Sequence, residues 1–66
     1  MNDFYKQKVV EAGFALEEKD VTPGMRRVAK IALFGYMYGS YPVEEIMAVR
    51  IVDLALTMEG YKKVAK

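Results

Sequence analysis

The sequence predicts an all-α fold, a small three-helix domain in which helices two and three form a tight antiparallel hairpin. Three observations carry this. Apolar residues recur at three- and four-residue spacing along most of the chain. "TP" at 22–23 and "SYP" at 40–42 each put proline just after a capping residue, where its missing N–H costs nothing. The short "GSYP" link then suits two helices that run back alongside each other. A chain of 66 residues holds one domain, 1–66.

Helix one is expected over 3–18. Asn2 is its N-cap, and Asp3 suits the positive end of the helix dipole. Tyr5, Val9, Ala12 and Leu16 fall on one face, which Val10 and Phe14 widen. Gly13 lies inside this span and reads as a point of close helix approach. "EEKDV" is a solvated exit.

Helix two is expected over 23–38, capped by Thr22 and closed by Gly39 in the left-handed conformation. Val28, Ile31, Ala32, Gly35 and Gly39 share a face small enough to press against another backbone. Gly35→Leu should therefore overpack it. Leu33, Phe34 and Met37 make the far side apolar too, as in a helix buried on several sides.

Helix three is expected over 42–59. Ser40 or Tyr41 caps it, and Glu44 and Glu45 occupy its first turn. Val43, Met47, Ile51, Leu54, Met58 and Tyr61 form one stripe. Val49, Val52 and Leu56 form a second on the opposite side, which reads as an interface. Gly60 opens a loose basic tail, 60–66.

Composition narrows the function. A chain this short is marginal alone, and with no Cys and no His it has neither disulfides nor an ordinary zinc site. Oligomerisation is the remaining device, and the 53% hydrophobic content leaves residues for a partner. No catalytic spacing is visible among the carboxylates, lysines, tyrosines and hydroxyls, so an enzyme, a cofactor and a metal are not expected. Net charge is only +1, and helix three opens on acids, so nucleic acid is not an expected partner and a helix-turn-helix DNA-binding module ranks third among the readings. The N-terminal stretch has no apolar signal-peptide core and no run is long enough to span a membrane, so a cytoplasmic protein is expected.

Two constellations stand out. In "TPGMRRVAK" two arginines open a helix whose dipole disfavours them there. A bound anion would reverse that, held by Thr22, the amide of Gly24, Arg26 and Arg27. The competing reading pairs the arginines with Glu17, Glu18 and Asp20. The second constellation is Arg50, Asp53 and Thr57, either a surface ion pair or a register pair at a subunit interface. Phe34, Met37, Tyr38 and Tyr41 belong to the same candidate interface, around the hairpin corner.

"TPGMRRVAKI" and "AVRIVDLAL", roughly half the chain, resemble the helical hairpin of phage proteins that sequester cyclic nucleotide signals. Where that family carries an aromatic near the end of its second helix, this chain has Met58. The resemblance implies a sponge for a phosphate-bearing small molecule. The reading favoured by composition is a non-enzymatic, self-associating inhibitor or adaptor, of the kind phages encode, with a protein partner.

Overall fold

The computed structural model describes residues 3–39 and 45–64, apart from the side chains of 36–39. The first helix starts at Asp3, whose carboxylate accepts the amides of Tyr5 and Lys6 at 3.1 and 3.3 Å. Asp3 thus takes the capping role expected of Asn2, which lies outside the described residues. Helix α1 runs Phe4–Glu11 and does not continue to residue 18.

Gly13 is what stops it. At φ +93° it sits in the left-handed region. Its amide donates to the Val10 carbonyl at 3.0 Å, and that of Phe14 to Val9 at 3.2 Å. This pair of reversed bonds is a Schellman motif, and the accompanying apolar contact comes from Phe14 and Val9, both buried. Gly13 is therefore a helix terminator and not a point of helix approach. A 3₁₀ turn at Glu18–Asp20 completes the connection, with the Asp20 carboxylate accepting the Glu17 amide.

Helix α2 runs Pro23–Gly39. Thr22 Oγ1 accepts the Met25 amide at 3.1 Å, the expected N-cap. Helix α3 runs Glu45–Met58, and the expected caps Ser40 and Tyr41, with Pro42, lie outside the described residues. Gly60, at φ +94°, ends α3 by a second Schellman motif: Gly60 N–H to Thr57 C=O and Tyr61 N–H to Leu56 C=O, both 3.0 Å. The fold is all-α, with α2 and α3 the most extensively packed pair and α1 against both.

The core comprises Val9, Ala12, Phe14, Ala15 and Val21 from the first segment, Ala29 and Leu33 from α2, and Ala48, Val52 and Leu56 from α3. This corrects three assignments. Leu16 is exposed, because the chain has left the helix before it. The buried line of α2 is Ala29–Leu33, flanked by Met25 and Val28, while Ile31 and Gly35 face outward. Val52 and Leu56, expected at an interface, are fully buried in the chain's own core, with Val49 packed against it. When a helix is apolar on two sides, its pattern alone cannot choose which side meets its neighbours.

A Cβ at Gly35 would meet no atom within 4 Å, so the overpacking expected of a larger residue has no structural basis. Gly35→Ala is instead expected to stabilise the domain by about 0.5–1 kcal/mol through backbone entropy alone. Urea denaturation measures this, and a loss of stability would show that the surface at Gly35 is occupied.

One buried charge went unanticipated. Lys8 is only 1% exposed; its ammonium contacts Glu11 at 2.9 Å and Glu45 at 3.2 Å, over the Phe4 ring. It clips α1 to the start of α3. Burial, the largest influence, pulls its pKa down, but the hydrogen bonds and charges of the two glutamates outweigh it and leave the pKa raised. The clip therefore contributes below the ordinary lysine range and is lost as pH rises through the folded value.

The segment after Gly60 is not loose over its described length. Lys63 pairs with Asp53 at 2.8 Å and lies over the Phe14 ring, and the Val64 amide donates to the Gly13 carbonyl at 2.8 Å.

Candidate functional site

Two concave surfaces flank α2, one on each side of its buried line. The first is basic. Its walls carry Lys6 from α1 and Arg26, Arg27 and Lys30 from α2, with Asp3, Val21, Thr22 and Pro23 completing a cavity of about 580 Å³. Helical spacing accounts for the α2 part, since Lys30 lies four residues beyond Arg26 and three beyond Arg27. Arg26 does not pair with Glu17, Glu18 or Asp20. Its Nε donates to Asp3 Oδ2 at 2.7 Å. That hydrogen bond is the main reason the Asp3 carboxyl titrates below its usual range. The Lys6 and Tyr5 amides add to the effect, while partial burial opposes it. The pairing stabilises the fold above the ordinary carboxylate range and is lost as pH falls through the lowered value.

Arg27 is exposed and has no ion-pair partner among the described residues. Of the four residues predicted for an anion site, Thr22, Arg26 and Arg27 do line one cavity, while Gly24 belongs to the opposite surface. The Thr22 hydroxyl is already committed to the Met25 amide. Gly24 has a packing role, because a Cβ there would fall 2.5 Å from the Tyr61 hydroxyl.

The second surface is an apolar groove of about 530 Å³ between α2 and α3. Val28, Ile31 and Ala32 form one wall, and Ala55 and Met58 the other. Gly24, Tyr61, Arg27 and Glu59 close the end where α2 begins and α3 finishes. Ile31 is 66% exposed and Met58 77%. Leu54, one turn before Met58, is also exposed and lies on the same side of α3. These residues come from the two stripes read in the sequence as helix packing faces. Ile31, Leu54 and Met58 are open to solvent, while Val28, Ile51 and Tyr61 of the same stripes pack against the core.

The second predicted constellation rearranges. Asp53 accepts the Thr57 hydroxyl at 3.3 Å, but its cation is Lys63, not Arg50, which points to solvent. Phe34 is exposed. The side chains of Met37 and Tyr38, and all of Tyr41, lie outside the described residues. Among the described residues no cluster of acidic side chains is placed to hold a metal ion, and no helix is long and apolar enough to cross a membrane. No family model, curated protein or solved structure matches the chain.

Proposed function

We propose that this is a small non-enzymatic interaction protein that self-associates and binds another macromolecule, in the manner of an inhibitor or adaptor. The groove between α2 and α3 carries the reading. Its exposed Ile31 and Met58, with exposed Leu54 one turn before Met58 on α3, present apolar surface of a kind that marks interaction sites on soluble proteins. These residues stay exposed although the chain has the ordinary compactness of a folded domain, with a radius of gyration of 10.8 Å against about 11 Å for this size. Ile31→Glu with Met58→Glu is expected to leave the melting temperature of the monomer nearly unchanged and to abolish association, as read by sedimentation. A wild-type chain that stays monomeric at tens of micromolar, about where moderate interfaces assemble, would end the self-association part of the reading.

A second reading has its own observation. The basic cavity gathers four cations around a single carboxylate, which suits a phosphate-bearing small molecule such as a cyclic nucleotide. Phosphate or a nucleotide is then expected to raise the melting temperature, less so at high salt. Arg27→Ala with Lys30→Ala should remove the rise; Arg26 is left intact because it holds Asp3. An equal shift in the wild type and the double variant would reject this reading.

A further inference from the structure

We infer that the occupant of the apolar groove is a second copy of this chain, docked about a twofold axis that runs along the groove. The inference rests on the self-association reading above and gives it a geometry.

The argument begins with charge. Arg27 and Glu59 line the same groove, and neither has an ion-pair partner among the described residues. Arg27 belongs to the α2 wall and Glu59 follows the α3 wall. The start of α2 meets the end of α3, with Gly24 against the Tyr61 hydroxyl, so the two charges stand on opposite walls at the same end. A twofold axis parallel to the groove exchanges the walls and keeps the ends in place. It sets each Arg27 over Glu59 of the partner subunit, twice per dimer. The same operation lays α2 antiparallel across α3 of the partner subunit, giving four helices in an antiparallel bundle, an ordinary isologous arrangement. A groove with one cation on one wall and one anion on the other is complementary to itself in this orientation alone. A partner rich in a single sign of charge would leave one of them unpaired. The small side chains Ala32 and Ala55 let the facing helices come close, and Ile31 and Met58 are the exposed side chains that fill the space between them.

Charge reversal tests this without endangering the fold. Arg27→Glu puts an acid near the start of α2, and Glu59→Arg puts a base at the end of α3; both suit the helix dipoles. Sedimentation equilibrium of the intact chain is the readout, with circular dichroism as the folding control. Each single reversal sets like charges opposite each other twice and is expected to weaken dimerisation at least about tenfold. The double variant R27E/E59R should return to near wild-type affinity. Dimeric wild type with unaffected single variants, or single-variant losses not rescued in the double variant, would overturn this geometry while leaving self-association through another face. A monomeric wild type would overturn both.

Discussion

Val52→Glu is expected to abolish the cooperative thermal transition at neutral pH. Val52 is fully buried between Ala48 and Leu56 on the inner line of α3. A carboxylate there must either lose its hydration or take up a proton. Protonating an ordinary glutamate at pH 7 costs almost three pH units, or about 3.7 kcal/mol at 1.36 kcal/mol per unit. Lost packing adds more. A chain of 66 residues holds about 3–10 kcal/mol in total, so most molecules would be unfolded. The penalty belongs to the charged form, because the folded-state pKa of the new acid is raised. It disappears as pH falls toward the ordinary glutamate range, and circular dichroism should show some helix returning near pH 4.5. If Val52 belonged to a subunit interface, the variant would melt like the wild type and only its oligomeric state would change.

Phe14→Ala should cost about 3–5 kcal/mol, close to the whole stability of the domain. Phe14 is only 1% exposed although it lies outside any helix. It follows the left-handed Gly13, packs with Val9 at the exit of α1, and lies beneath the Lys63 ammonium. Leu16→Ala is the matched control. Leu16 is 68% exposed, and its loss should stay within about 0.5 kcal/mol. Urea denaturation of both variants separates the two placements of the first helix. A helix continuing to residue 18 would bury Leu16 and make its truncation the costly one.

The parts of the fold that depend on neighbours in sequence were legible. Thr22 and Pro23 signal the start of α2 by local hydrogen bonding and ring geometry, and the structure keeps both roles. The end of α1 has a local signal too, but a weaker one. "AGF" at 12–14 and "EGY" at 59–61 share a glycine followed by an aromatic residue, and both end a helix in the same way. The second is followed by the basic tail, with Lys62, Lys63 and Lys66 after it. The first stood inside a stripe that pointed on to Leu16, and an interior glycine costs a helix only about 1 kcal/mol, too little to exclude it.

Which face turns inward was not legible for α2 or α3. Both carry apolar residues on two sides, and the choice is made by α1 and by the segment from Phe14 to Val21. The basic cavity was half legible. Arg26, Arg27 and Thr22 are close in sequence, but the Asp3–Arg26 pair joins residues 23 apart, and Lys6 comes from another helix. Lys8 shows the same limit, since its partner Glu45 is 37 residues away.

The bond from Val64 to Gly13 joins the exits of α1 and α3. It gives the molecule an internal hierarchy of opening. Residues 62–64 are exposed and hold on through this hydrogen bond and the Lys63 contacts, so they can detach while the three helices stay packed. Detachment removes the cation lying over Phe14 and bares one edge of the core without dismantling it. Such an unlatched form is opposed by one backbone hydrogen bond, one half-exposed ion pair and the Lys63–Phe14 contact, and added salt, which screens the ion pair, is expected to favour it.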